Sequence, residues 1–136
     1  GNKWKGDGAL RENFPGGFAN AKANAFTREG RSELQNQYYD FTSKLLNWRK
    51  GNAAIAKGTT RHYSIQNGVY VYSRQAEGRT VTVIMNGCNA PASIDLARYE
   101  EVLPKNGKAH EVLTGETLEL GKNIHLDIRE ILILDF

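Results

Sequence analysis

The apolar residues of this chain change their spacing near residue 59, and that change most limits the folds open to it. Between residues 32 and 50 they recur at spacings of 4, 3, 4 and 3, which places them on one face of a helix. The members of this apolar stripe are Leu34, Tyr38, Phe41, Leu45 and Trp48. From residue 59 onward the period becomes two, which is typical of strands. The sequence therefore predicts one amphipathic helix followed by a β domain.

Local signals define the ends of this helix. Ser32 and Gln35 form a capping box, in which the hydroxyl accepts an otherwise unpaired N–H and the glutamine reaches back to the serine backbone. Two basic residues in the last turn and Gly51 after it are typical of a helix C-terminus. The segment 52–57, followed by Gly58, predicts one further helical turn.

The second half of the chain alternates short β-branched or aromatic runs with turn signals. Gln66-Asn67-Gly68 is a strong hairpin turn, and Glu77-Gly78 predicts another. The predicted strands are 61–65, 69–74, 80–85, 92–96, 110–113, 117–120, 123–128 and 130–135. Seven or eight short strands joined by short loops favour a mainly β fold. We expect an antiparallel β-sandwich preceded by an irregular loop and one amphipathic helix.

Composition excludes several functional classes. The net charge is +3, and no run of four Lys or Arg residues gives the concentrated patch that nucleic acids require. One cysteine, Cys88, rules out an internal disulfide and a cysteine-based zinc site. The three histidines have no ligand spacing, and no stretch approaches the ~20 apolar residues of a membrane span. We therefore expect no metal, no cofactor, no nucleic-acid partner and no membrane partner.

Residues 1–31 differ from the rest of the chain. They hold six glycines and one proline, with neither a helical nor a strand period. A structureless start of this length is uncommon in a compact domain, so we expect a functional loop or one separated from its scaffold. The chain does not begin with Met, and we expect it to be an excised part of a longer protein.

Few residues indicate catalysis. Asp7 with Glu12, and Glu100 with Glu101, are predicted to be solvated, because acidic side chains are mostly exposed. No histidine lies at a spacing from Cys88 that indicates a catalytic cysteine–histidine pair, so we expect an inert thiol. The remaining candidates are aromatic: those of the opening loop, and two strand tyrosines that share one face. These residues are Trp4, Phe14, Phe18, Tyr70 and Tyr72. Taken by themselves, both sets favour packing within the protein over a role as a ligand platform.

A specific series of short segments in the first 58 residues carries a resemblance to a known family. It runs through Asp7-Gly8, Leu10-Arg11, Asn13-Phe14-Pro15-Gly16-Gly17-Phe18, Asn24-Ala25-Phe26-Thr27, Gly30-Arg31, Leu45-Leu46-Asn47-Trp48-Arg49-Lys50 and Ala54-Ile55. This series resembles the C-terminal end of α-amylase family enzymes (glycoside hydrolase family 13), close to the neopullulanase and cyclomaltodextrinase branch. The likeness is most specific at 7–18 and 45–58.

The resemblance implies a domain layout and an activity. Residues 1–58 would be the last loop and helix of a (β/α)₈ barrel, and residues 59–136 the C-terminal β-sandwich called domain C. The family cleaves α-glucosidic bonds of starch, pullulan, maltooligosaccharides or cyclodextrins with retention, using carboxylates on barrel strands that precede this segment. We therefore assign no catalytic residue here and expect the fragment alone to be inactive.

The resemblance also implies where substrate lies. The loop after the last barrel strand borders the active site of such barrels. Asp7 and Arg11 are the nearest matches to substrate-binding residues of that loop, and Trp4 and Phe14 would stack on glucose rings. The expected partner is an α-glucan oligosaccharide bound by the whole protein. The helix 32–50, deprived of its barrel, would fold back on the sandwich or self-associate.

Two other interpretations remain open at this point. A stand-alone carbohydrate-binding β-sandwich would use exposed tyrosines or tryptophans, and a basic nucleic-acid module is disfavoured by the scattered charge. The sequence does not determine α-1,4 against α-1,6 preference, linear against cyclic substrates, or calcium dependence. It does not determine whether the protein is periplasmic or cytoplasmic.

Overall fold

The computed structural model describes Gly6, Gly8, residues 14–104 and residues 107–136. Two compact units divide the chain, Gly1–Ser43 and Lys44–Phe136. The helices are α1 (Glu33–Lys50) and α2 (Ala53–Lys57), and a 3-10 helix spans Leu96–Tyr99. The strands are β1 (Thr59–His62), β2 (Val69–Ala76), β3 (Arg79–Asn86), β4 (Ala92–Asp95), β5 (Lys108–Glu111), β6 (Thr117–Glu119), β7 (Asn123–Leu126) and β8 (Ile131–Asp135). The predicted boundary between residues 58 and 59 remains a prediction.

Helix α1 begins as its capping signal predicts. The Ser32 backbone N–H donates to Gln35 Oε1 (2.8 Å), and the Gln35 N–H donates to Ser32 Oγ (3.2 Å). The N-terminal part of the apolar stripe is exposed, since Leu34, Tyr38 and Phe41 keep 61, 68 and 51% of their surface. Leu45 and Trp48 are half-buried.

The strands form two antiparallel sheets, which confirms the predicted β-sandwich. The larger sheet has the order β1-β2-β3-β8-β5-β6, and β4 pairs with β7 in the smaller one. Alternate residues of these strands point inward and close one apolar core. Its fully buried members include Val69, Val71, Ile84, Leu96, Tyr99, Leu103, Leu126 and Leu134.

Both predicted hairpin turns are present with the backbone that their residues favour. Asn67 and Gly68 have φ angles of 50° and 76°, and Glu77 and Gly78 have 54° and 77°, as type I′ turns require. At Gly68 a Cβ would lie 2.0 Å from Cys88 Sγ, so only glycine fits.

Strand β1 differs from its prediction, because it covers 59–62 instead of 61–65. The Tyr63 N–H still donates to Val71 O (3.0 Å), but the next bridge joins Gln66 to Val69. The first strand therefore carries one extra residue between Tyr63 and Gln66, and this interrupts the regular ladder.

One buried carboxylate connects the end of α1 to the larger sheet. Asp135 lies at the end of β8 with 7% of its surface exposed. Its Oδ2 accepts from Trp48 Nε1 (2.8 Å), Asn52 Nδ2 (3.2 Å) and Arg79 Nη2 (2.6 Å), and its Oδ1 accepts from Arg79 Nε (2.7 Å). A bidentate arginine and two neutral donors leave this carboxylate well paired. We call these four residues the Asp135 cluster.

Helix α2 is held to the same sheet through its N-cap residue and its first turn. The Asn52 side-chain oxygen caps its start by accepting from the Ile55 N–H (3.3 Å). Arg74 of β2 donates to the Ala54 and Ile55 carbonyls in its first turn (3.3 and 2.9 Å). The short helix is therefore fixed by contacts outside itself, as its length requires.

A second buried carboxylate, Glu111, stabilises the turn after β5. Only 2% of Glu111 is exposed, and its oxygens accept from the backbone N–H groups of Thr114 (2.6 Å) and Ile133 (3.0 Å). Burial raises the pKa of Glu111, but the hydrogen bonds from these backbone donors and from that of Leu113 together lower it by more. The pKa of Glu111 therefore lies below its ordinary value.

Replacing Asp135 by Ala should lower the free energy of unfolding by about 2–4 kcal/mol, because three donor side chains lose their acceptor. The lower half of that range is expected, since the Arg79 side chain is 42% exposed and regains water. Urea unfolding followed by circular dichroism measures the loss. The matched control is Asp127→Ala, an exposed position where the change should stay within about 0.5 kcal/mol. Equal losses at both positions would contradict the assignment.

Replacing Glu111 by Gln should remove a pH-dependent part of the stability. Because the folded pKa lies below the ordinary 4.5, the carboxylate stabilises the fold above that pH and loses this effect as pH falls through the folded pKa. At pH 7 we expect Glu111→Gln to cost about 1–3 kcal/mol, and the gap from wild type should shrink in acid. Unfolding curves between pH 7 and pH 3 test this, with the exposed Glu116→Gln as control. A difference in the free energy of unfolding that does not change with pH would contradict this role of the Glu111 carboxylate.

Candidate functional site

The predicted substrate-binding residues fall at the start of the chain. Trp4, Asp7 and Arg11 lie outside the described residues, so their assignment stays a prediction. Phe14 is described, and 62% of its surface is exposed. Its ring meets that of Phe26 edge-on, with centroids 5.4 Å apart. The aromatic candidate therefore has a partner that sequence reasoning did not assign to the site.

The loop 14–31 is held by hydrogen bonds within itself. The Ala25 N–H donates to Pro15 O (2.7 Å), and the Asn24 N–H donates to Gly30 O (3.0 Å). Asn24 Oδ1 in turn accepts from the Phe26 N–H (2.9 Å). Although it contains no helix or strand, the described part of the loop has a defined backbone path.

Glycine is required where this loop turns. Gly17 has a φ of 74°, and a Cβ there would lie 2.5 Å from Asn24 Nδ2. The Pro-Gly-Gly signal at 15–17 therefore reflects both a left-handed backbone and a close approach of the Asn24 side chain.

A buried asparagine of α1 connects the helix to the loop. Asn36, 6% exposed, donates to Arg28 O (3.0 Å) and accepts from Arg31 Nε (2.8 Å). Arg31 also donates to Ala25 O (2.7 Å), and its guanidinium lies 4.0 Å from the Tyr39 ring centroid. Sequence reasoning missed Asn36, because a polar residue within a helix carries no mark of the loop it binds.

The loop presents an open aromatic surface. Phe18 and Phe26 are 76 and 74% exposed, and Phe14 and Phe18 border a shallow depression of about 390 Å³ with Lys22. Exposed rings next to amide and ammonium groups suit the binding of a ligand that has both apolar faces and hydroxyls. The described residues that line this depression include no acidic side chain, so they offer no acid–base pair.

The two strand tyrosines lie on the outer face of the larger sheet. The Tyr70 and Tyr72 rings are 5.7 Å apart and tilted, and His62 meets Tyr70 edge-on at 6.5 Å. Both tyrosines are half-buried. Their contacts with one another account for this burial and leave less ring surface than the loop phenylalanines offer.

The other catalytic candidates are engaged in structural contacts. Glu101 pairs with Arg61, and the hydrogen bond from this guanidinium lowers the pKa of the Glu101 carboxyl. A carboxylate held ionised in this way is a poor general acid. Cys88 Sγ lies 3.7 Å from Asn67 O in a half-buried position.

Within the part of the chain that the structure describes, no three or more histidine, cysteine or acidic side chains come together to hold a metal ion. Neither of the described α-helices combines the length and apolar content needed to cross a membrane.

Sequence relatives match more than half of the chain. The chain is 36% identical over 89 residues to an α-amylase of Niallia circulans, covering 62% of this chain and 16% of the relative. It is 38% identical over 77 residues to a cyclomaltodextrin glucanotransferase of the same organism, covering 57% of this chain and 10% of the relative. The chain thus spans less than a fifth of either enzyme.

Solved structures share the fold at low identity. An α-amylase of Anoxybacillus aligns with a TM-score of 0.62 and 18% identity, covering 80% of this chain and 23% of that one. The α-amylase of Geobacillus thermoleovorans, solved with acarbose, aligns at 0.63 and 18% identity, covering 77% and 23%. These alignments confirm the α-amylase type of C-terminal β-sandwich.

The family assignment comes from the sandwich itself. The model of the cyclo-malto-dextrinase C-terminal domain matches residues 60–135, which include all of strands β2 to β8. Because this match covers more than half of the chain and agrees with the fold, the chain belongs to the family of cyclo-malto-dextrinase C-terminal domains.

Proposed function

We propose that this chain is the C-terminal part of an enzyme that cleaves α-glucosidic bonds in starch, pullulan, maltooligosaccharides or cyclodextrins. The observation that carries the proposal is the family match over 60–135, together with relatives of which the chain spans only 16 and 10%. In this proposal residues 1–58 complete a (β/α)₈ barrel, and residues 59–136 form domain C. The opening motif 7–18 favours the neopullulanase and cyclomaltodextrinase branch.

The proposed role of the sandwich is to stabilise the barrel. The Asp135 cluster supports this role, because it attaches the last turn of α1 and the start of α2 to strands β3 and β8. The exposed stripe of α1 supports it as well, since apolar patches of this kind mark contact with another part of a protein.

The proposed chemistry takes place outside this chain. Retaining hydrolysis needs two carboxylates about 5 Å apart on either side of the scissile bond, one as nucleophile and one as acid and then base. Among the described carboxylates, Glu101, Glu111 and Asp135 are each committed to a structural contact. We therefore place the catalytic carboxylates upstream of Gly1 and expect retention of configuration.

The opening loop is proposed to border the outer substrate subsites. Phe14 would stack on a glucose ring, with Trp4, Asp7 and Arg11 beside it. The exposure of Phe14 and its edge contact with Phe26 support this role, because an exposed ring pair presents flat apolar surface without losing its own packing. The proposed partner is an α-glucan oligosaccharide.

The proposal predicts that the 136-residue chain does not turn over pullulan, amylose or cyclodextrins, whereas the longer protein does. Reducing-sugar assays measure this, with a cyclomaltodextrin glucanotransferase as positive control. The coding sequence upstream of Gly1 should contain a Glu-bearing strand followed by an Asn-His-Asp motif. Turnover by the chain alone, or an upstream region without a barrel, would overturn the proposal.

We also propose that the isolated chain covers its exposed stripe by self-association. Leu34, Tyr38 and Phe41 are each more than half exposed on one helix face. Light scattering should report a mass above that of the monomer, and the variant Tyr38→Ser with Phe41→Ser should shift it to the monomer. The exposed Gln37→Ser is the matched control on the same helix. A wild-type monomer at every concentration would rule this out.

A further inference from the structure

A polar cleft opens in the sandwich between the β1–β2 turn on one side and β4 with the 3-10 helix on the other. Its volume is about 370 Å³, and its polar lining consists of Gln66, Asn67, Ser93, Asp95 and Arg98. We propose that this cleft binds an uncharged, hydroxyl-rich saccharide. Its described lining includes no residue of the opening loop, so we treat it separately from the predicted contacts at Phe14.

Two side chains that line the cleft are braced by hydrogen bonds. Arg98 Nη1 donates to Gln66 Oε1, and Arg98 Nη2 donates to Ser64 O (3.1 Å). Asp95 Oδ1 accepts from the Ala97 N–H (2.9 Å), which fixes the start of the 3-10 helix. The walls therefore hold their positions without a ligand, and this preorganisation lowers the entropic cost of binding.

The same contacts leave several groups free to meet a ligand. Among the described residues, no hydrogen bond engages Gln66 Nε2, the Asn67 side-chain amide or the Ser93 hydroxyl, and Asp95 uses only its Oδ1. Donors and acceptors are both present in this set. Sugar hydroxyls also donate and accept, so one ring could use both kinds of group at once.

The outer face of the smaller sheet extends this polar surface. Ser93 pairs with His125, and Asp95 pairs with Asn123, so the four side chains share the solvent-facing side. An oligosaccharide longer than one ring could follow this row beyond the cleft.

The charges of the cleft select against other ligand classes. It holds one guanidinium, already committed to Gln66 and Ser64, and one carboxylate, so an anion would face Asp95 without a free cation. Its apolar lining is limited to Ile94 and Ala97, because the Tyr99 side chain is 2% exposed. An apolar ligand would therefore leave polar groups unpaired, at a cost in free energy.

The ligand class follows from the cleft alone, whereas the choice of maltotriose as the probe rests on the proposed function. The full chain, labelled with ¹⁵N, is titrated with maltotriose at millimolar concentrations and its amide shifts are recorded. We expect saturating shifts at residues 66–67 and 93–98. Glucose 6-phosphate serves as the anionic comparison.

Two variants test whether the lining residues carry the binding. Asn67→Gly keeps the turn, because the φ of 50° at this position suits glycine, and Ser93→Ala changes only an exposed hydroxyl. The double variant should bind maltotriose about tenfold more weakly, as the loss of two neutral hydrogen bonds implies. Ser93→Ala alone should weaken it in the same direction. Glu77→Gln, at an exposed position in the turn at the opposite end of β2, should not.

Several results would overturn this site. They are an absence of shifts, shifts confined to other residues, tighter binding of glucose 6-phosphate than of maltotriose, or equal weakening by Glu77→Gln. None of these results bears on the proposed function, which the turnover assay and the upstream coding sequence test independently.

Discussion

The Asp135 carboxylate is the acceptor on which the attachment of the helices to the sheet depends. Trp48, Asn52 and Arg79 come from α1, from the linker to α2 and from β3, and each donates to this side chain. A buried carboxylate is stable only with such partners, so the ends of four elements must meet at one point. The last turn of α1 is therefore attached to the sheet at this point.

The attachment of α1 at Asp135 accounts for the difference in burial along the helix. The half-buried end of the α1 stripe lies at Trp48, where the cluster begins, while Leu34, Tyr38 and Phe41 remain exposed. In the proposed function those residues contact the barrel. The loop 14–31 is ordered through Asn36 of the same helix, so the helix also positions the aromatic surface.

Much of the fold follows from local signals. The capping box at Ser32 and Gln35, the turns at Asn67-Gly68 and Glu77-Gly78 and the run of eight strands are all present, because each depends on neighbours in sequence. The prediction of where β1 ends was wrong, because the extra residue before Gln66 is defined only by the pairing of the first strand with β2. In the candidate site Phe14 was named, but Phe26, twelve residues away, was not, because its contact forms only when the loop folds back.

The sequence by itself determined the order of elements, the period of each and the family that the opening motif indicates. Those properties depend on side chains a few residues apart, whose geometry one helix turn or one hairpin sets. Only the tertiary structure decided that Asp135 would accept from Trp48, Asn52 and Arg79, which lie 87, 83 and 56 positions earlier in the sequence. Only the tertiary structure decided that Gln66 and Asn67 would face Ser93 and Asp95 across one cleft. Such groups are brought together by strand pairing and core packing, and no short-range pattern records which distant partner each will meet.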